Sequence, residues 1–473
     1  MMIRKILTGA ICLFAGISAA TAEERQLTAD QAKALEIYKT IIAFKSTEHH
    51  GETPAMAAYL AGELKSAGFA EDDIEIIPIE KTAALVAHYR GDGSSGQKPI
   101  LFLAHMDVVE ANPADWEYDP FTLREEDGWF LGRGAADNKY GVANLTQSFI
   151  RLKKEGFVPS RDLFLIFTGD EETAMATTKH LAYEREDLQA AEFVLNSDAG
   201  GGAVTPDGKV LPYYMQSAEK TYATFKITAH NPGGHSSAPK PDNAIYDLAQ
   251  ALLNIQAYKF PVMSNAITRA AMRADGKDMQ GALGKALLAF ADNPKNKKAI
   301  KTIRSNYEYG HLLSTTCVAT MLAGGHAENA LPQSATATVN CRIFPGIEVE
   351  DVRQTLVQII DNDALEVGLG DDDYVASPAS EPRDDVIAAV SKALRVRYPD
   401  IEIVPAMSSG GTDGMHFRRA GVPAYGVSAG FGKIGESENA HGLNERVPVD
   451  SFFAGLDHWI IIIKELAAPI PEE

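Results

Sequence analysis

Cysteine is scarce in this chain: 473 residues contain three, at Cys12, Cys317 and Cys341. Disulfides therefore cannot be its main staple, and pairing of Cys317 with Cys341 is left open. Basic charge is also short. Lys plus Arg number 44 against 64 Asp plus Glu, a formal charge of −20. A chain this acidic repels phosphate backbones, which argues against a nucleic-acid partner. Beyond residue 22 no apolar run approaches the ~20 residues that a spanning helix needs. Internal repeats and low-complexity linkers are missing too. What is present, 45% hydrophobic and 23% charged residues, is a globular profile, and the length exceeds one ordinary core.

Residues 1–22 read as an export signal. Arg4 and Lys5 precede the apolar stretch Ile6 to Ala19, and Ala20-Thr21-Ala22 forms a small-x-small cleavage site before Glu23. Loss of those two cations takes the charge from −20 to −22. The expectation is a secreted or periplasmic mature chain with no stable membrane anchor.

Helix-period patterns cover 28–45 and 53–67. The runs Pro99–Ala104, Asp162–Thr168 and Phe193–Leu195 are short and continuously apolar, as in strands buried on both faces. Between the first two, Val142, Leu145, Phe149 and Leu152 mark one side of a helix that Gly156 ends. This alternation predicts an α/β domain with a mixed, mainly parallel sheet covered by helices. Near residue 216 the pattern changes to half-exposed alternation, and the order becomes β-α-β-β-α-β, interrupted by a Lys-rich helical insertion at 262–308. After about residue 378 the α/β character returns. The expected division is therefore 23–215 and 378–473 for the catalytic domain, with 216–377 inserted as an α+β lid or dimerisation domain.

The residues able to do chemistry stand where buried strands end, the place where open α/β sheets bind ligands. His105 and Asp107 follow the first run, Glu171 and Glu172 the second, and Asp198 the third. Asp137 lies on the glycine-rich turn Gly132–Lys139, and His441 lies in Asn439–Gly442. Taken singly, each is an ordinary cap or turn residue. Together they form a mixed imidazole and carboxylate set that suits zinc, with cobalt or manganese as substitutes. The donors exceed what one tetrahedral ion takes, which points to two ions sharing a carboxylate. One of Glu171 and Glu172 can then bind metal while the other stays free as a base.

The motifs Ala104–Val109, Gly132–Asp137 with Lys139, Thr168–Glu172, Asn196–Asp198 and the late His441 resemble the co-catalytic zinc peptidases. That family includes glutamate carboxypeptidase, aminoacylase and the acyl-amino-acid deacylases, and the resemblance spans about residues 30–465. It implies that Asp137 bridges two zinc ions, that His105 and Asp198 hold one, and that Glu172 and His441 hold the other. Asp107 would orient the His105 ring, and Glu171 would be the general base. In the lid, His235 of Asn231–Ser237 would stabilise an oxyanion, often across a homodimer. Asn329, Arg342 and the loop Gly410, Gly411 and Thr412 would bind the substrate carboxylate. The implied reaction is cleavage of a peptide or N-acyl amide beside a free α-carboxylate. The alternative within the family is a dipeptidase or aminopeptidase that recognises a free amine. Asn138 and Tyr140 depart from the usual family pattern, and the insertion at 262–308 points to the larger carboxypeptidase-like branch.

Overall fold

The computed structural model describes residues 25–370 and 374–468; the segment read as an export signal lies outside the described residues. The large sheet has eight strands in the order Ile74–Ile79, Thr82–Tyr89, Leu163–Thr168, Ile100–His105, Phe193–Asn196, Ala424–Gly426, Tyr213–Glu219, Ile403–Ser408. The central strands run parallel, in register from Ile100 opposite Leu163 to His105 opposite Thr168. Thr82–Tyr89 joins them antiparallel, and Ile74–Ile79 pairs antiparallel with Thr82–Tyr89 in turn. All six residues of Ile100–His105 and of Leu163–Thr168 are buried, because helices cover both faces. One face carries Phe102, Leu165 and Leu195 against the helices Ala29–Ala43, Lys139–Lys154 and Val449–Ala467. The other packs Leu101, Leu103 and Ile166 against the helices Ala176–Glu184 and Gly414–Arg419. Each such fully buried side chain contributes roughly 1.5–3 kcal/mol.

The helix Lys139–Lys154 departs from the one-sided pattern read from sequence. Val142, Leu145, Phe149 and Leu152 are buried as expected, but so are Asn144, Thr146, Gln147 and Ser148. The helix is sandwiched between the sheet and two other helices, so its polar side also lies inside. Thr146 donates to the Val142 carbonyl, and Gln147 donates to Asp30 at 3.0 Å. Gly455 permits the close approach, since a Cβ there would overlap the Asn144 amide.

A second, four-stranded antiparallel sheet has the order Thr316–Gly324, Ser334–Ile343, Thr221–His230, Leu365–Leu369. Burial alternates along Thr221–His230, with the helices Ala244–Ala257 and Val349–Ile360 contributing to the core on one side. Cys317 and Cys341 face each other across two of these strands and are disulfide-bonded. The insertion does not extend this sheet. Its helices Ala266–Asp278, Gly281–Asp292 and Lys297–Arg304 enclose a small core of Met272, Leu287, Phe290 and Ile303. Ala266–Asp278 covers the otherwise open edge strand Ile403–Ser408, tied down by Lys277–Glu402 at 3.2 Å and Lys209–Asp278 at 2.9 Å. Among the described residues, no helix is long and apolar enough to cross a membrane.

Candidate active site

Three parallel strand ends deliver the chemistry. His105 is the last residue of its strand, and its Nδ1 stands 3.1 Å from the Asp107 carbonyl oxygen. A carbonyl can only accept, so Nδ1 carries a proton, and Nε2 is the ring nitrogen directed at the centre. Nε2 lies 2.9 Å from Asp137 Oδ1 and 3.4 Å from Asp198 Oδ1. Asp137 directs its other oxygen elsewhere: Oδ2 is 3.1 Å from His441 Nε2, which is 2.9 Å from Glu172 Oε1. Two donor groups therefore meet at Asp137. His105, Asp137 and Asp198 form one, and Asp137, Glu172 and His441 form the other, each with its ligand atoms within 4.8 Å of one another. Glu171 reaches His105 and Glu172 within the same limit. Asp107 does more than face the imidazole, from which its carboxylate stands 3.6 Å. Its two oxygens accept the Glu171 and Glu172 amides at 3.0 and 2.9 Å, which fixes the turn carrying both glutamates.

The glycine-rich turn has a steric basis. Gly134 has φ +84°, and a Cβ there would press on Val108 and Lys139. The turn leads to the cis peptide Asp137–Asn138. Asn138 donates to Asp198 Oδ1 at 2.8 Å and accepts from Ser197 Oγ at 3.0 Å, so it joins two ligand loops. Sequence reasoning missed Glu445, the buried hub of this region. Its carboxylate accepts the amides of Gly134, Ala136 and Asp137 at 2.8–3.2 Å. It also pairs with Arg133 at 2.6 Å, and Arg133 donates in turn to the Gly442 carbonyl at 3.0 Å. The loops bearing Asp137 and His441 are thus tied through one ion pair. Its only sequence signal is an acidic residue four positions after His441.

A cavity of about 700 Å³ opens beside the cluster, with Asp137, Glu171, Glu172, Asp198 and His441 on one wall. Arg342, Gly410, Gly411 and Thr412 stand on another. Arg342 donates to the Ser409 carbonyl at 3.1 Å and lies over the Tyr222 ring. The loop differs from expectation in its free donors. The Gly410 amide already serves Ser408 Oγ and the Thr412 amide serves Glu219, so Gly411 offers the one unengaged amide of the three among the described residues. Glu219 is itself paired with Arg418, a fully buried ion pair that sequence reasoning did not single out. His235 and Asn329 do not line this cavity. Both are exposed and lie together at the short antiparallel pairing of Gly234–His235 with Ala330–Leu331, where His235 Nδ1 accepts from Ser237 Oγ at 2.7 Å.

Packing so many acids and imidazoles together shifts several of them. Burial opposes charging His105, but Asp198, Asp107 and Asp137 outweigh it and hold the imidazole well above its usual pKa. The Asp137 hydrogen bond, aided by Glu172, carries His441 to about 9 despite burial. Burial also opposes Asp137 ionising, yet the two imidazoles keep its carboxyl below the ordinary range. Burial lifts Glu172 to about 7 against the pull of His105, and lifts Glu171 well above the usual carboxylate range. Divalent cations would replace the protons that balance this cluster. The donor set of imidazole and carboxylate, with Asp137 presenting one oxygen to each side, fits a pair of them.

This fold, with its cluster at the carboxyl ends of a buried sheet, defines a metal-dependent hydrolase. The chain belongs to peptidase family M20/M25/M40, whose sequence profile matches residues 101–465. It is 25% identical over 370 residues to a Danio rerio protein, N-fatty-acyl-amino acid synthase/hydrolase PM20D1.1, covering 76% of this chain and 70% of that one. It is 25% identical over 443 residues to carboxypeptidase S of Saccharomyces cerevisiae, covering 83% and 76%. Among solved structures it resembles the Sulfolobus solfataricus M20 metallo-carboxypeptidase Sso-CP2, with a TM-score of 0.68 at 18% identity over 91% of this chain and 98% of the other.

Proposed function

We propose that the protein is an exported, zinc-dependent carboxypeptidase or N-acyl-amino-acid amidohydrolase, cleaving the amide bond beside a free α-carboxylate. One observation carries the reading: a single cavity is lined by five members of the cluster, Asp137, Glu171, Glu172, Asp198 and His441, and by Arg342 and Gly411. His105 and Asp198 would hold one ion, Glu172 and His441 the other, with Asp137 between them and cobalt or manganese as substitutes. When bound, the ions supply Lewis acidity towards the scissile carbonyl and lower the pKa of water. Glu171 accepts the proton of the attacking water and delivers it to the leaving nitrogen. Arg342 receives the substrate carboxylate through two parallel N–H bonds, aided by Gly411. The names of the relatives, an N-fatty-acyl-amino acid hydrolase and a carboxypeptidase, support a carboxylate-bearing leaving group.

The segment 216–377 acts as a lid. Its edge strand Thr316–Gly324 leaves Val318, Met321 and Leu322 exposed, and Tyr246 and Leu253 are exposed on the helix Ala244–Ala257. An unpaired apolar edge of this kind suits a homodimer, in which His235 and Asn329 would complete the partner's site. The test is Glu171→Ala. The expected variant retains metal and loses at least about 100-fold in kcat, the usual scale of general-base catalysis. Full activity with metal retained overturns the assignment.

A further inference from the structure

A second cavity, of about 510 Å³, lies beyond the first and shares Asp137 and Asp198 with it. The candidate metal centre therefore stands between two chambers. Resting on the hydrolase reading above, the first chamber takes the carboxylate-bearing leaving half, because Arg342 and the Gly411 amide lie there. The acyl half extends from the scissile carbon away from that leaving half, and the second chamber offers room for it on the far side of the shared carboxylates.

The walls of that chamber suit a polar guest. Gly200, Gly201, Gly430 and Gly432 leave one side bare of side chains. Tyr140, the residue that departs from the family pattern, lines it too, with its hydroxyl bonded to Ser428. Glu438 is the distinctive group. It is half-buried, its Oε1 faces Gly432, and it pairs with no cation among the described residues. Burial and the nearby Glu445 push its carboxyl above the ordinary range, so its charge is poorly compensated. Lys433 does not serve as its partner; the ammonium lies 5.9 Å from the centre of the Trp129 ring. Glu436 is exposed and solvated. An alkyl chain entering this chamber would strip water from Glu438 and return nothing, whereas an ammonium would answer the charge.

We propose that this second chamber receives the acyl half of the substrate and that Glu438 selects acyl groups bearing a protonated amine. The amine can be the α-amine of an aminoacyl residue or that of a basic side chain. Three substrates with one leaving residue separate these sources: alanyl-leucine, Nα-acetyl-lysyl-leucine and propionyl-leucine, each assayed with the metal-loaded full chain and repeated for other C-terminal residues. One of the amine-bearing substrates is expected to exceed propionyl-leucine in kcat/KM by roughly 10- to 100-fold, the scale of a hydrogen bond to a charged group, and which one does so identifies the amine. In Glu438→Gln that ratio is expected to fall to near one, chiefly through KM, and in Glu438→Asp to recover in part. Equal or better hydrolysis of propionyl-leucine by the wild-type protein overturns the proposal, even where a variant fails to fold. An unchanged ratio in a folded Glu438→Gln also overturns it. Hydrolysis of propionyl-leucine alone leaves the carboxylate-directed hydrolase standing, whereas failure on every substrate removes both readings.

Discussion

Loading metal-free protein with zinc should release protons, and the number follows from the perturbed groups. His441 is carried to about 9, so at pH 8 roughly nine-tenths of it holds a proton, and the surrounding carboxylates also hold His105 well above its ordinary value. A ligating imidazole must be neutral, so at pH 8 His441 gives up about nine-tenths of a proton and His105 adds to the release. Glu172 lies near 7 and is mostly ionised at pH 8; by pH 6 it adds nearly one more proton to the release. Burial also holds Glu171 above the ordinary carboxylate range, so its ionisation on metal binding adds to the count. The sign is fixed: protons compete with metal below the raised pKa values, so affinity climbs with pH until those values are passed. Calorimetric titration of chelator-stripped protein with zinc, in buffers of different ionisation enthalpy, reads the number directly. Imidazoles of ordinary pKa would be almost wholly neutral at pH 8. Release of less than about half a proton there would refute the clustering of both histidines with the acids.

Three other outcomes are expected. Glu445→Ala strands the buried Arg133 and three backbone amides, costing about 3–5 kcal/mol, and both thermal stability and zinc occupancy should fall. His458, buried with Nε2 on the Val427 carbonyl, has its pKa depressed to about 4 by burial. Its contribution to stability is present above about 6.5 and lost as pH falls towards 4, so His458→Gln should flatten the denaturation midpoint between those values. Cys317→Ser opens a disulfide of sequence separation 24, which should cost about 3 kcal/mol, read as a lower denaturant midpoint under non-oxidising conditions.

Much of the site was legible because strands buried on both faces leave a continuous apolar signature, and ligands follow at their ends. His105, Glu171, Glu172 and Asp198 could be placed from Ile100–Ala104, Leu163–Thr168 and Phe193–Leu195 alone, and the structure gathers them with Asp137 and His441. Residues acting at a distance were not legible. Glu445 and Arg133 lie 312 positions apart, and Glu219 reaches Thr412 across 193. No local period encodes such pairings, which arise from packing of loops against one another. The amides consumed within Gly410–Thr412 were hidden for the same reason, since a glycine-rich run states flexibility and not which donors are already engaged. The helix Lys139–Lys154 misled through its polar residues, which read as solvent-facing until a second layer of helices is laid over them.

Anomalous diffraction from crystals of the zinc-loaded protein would test the central claim most directly. Two peaks are expected, one beside His105 and Asp198, the other beside Glu172 and His441, with Asp137 between them and the Glu171 carboxylate bound to neither. A single peak, or one coordinated by Glu171, would contradict a two-ion centre with a free glutamate base.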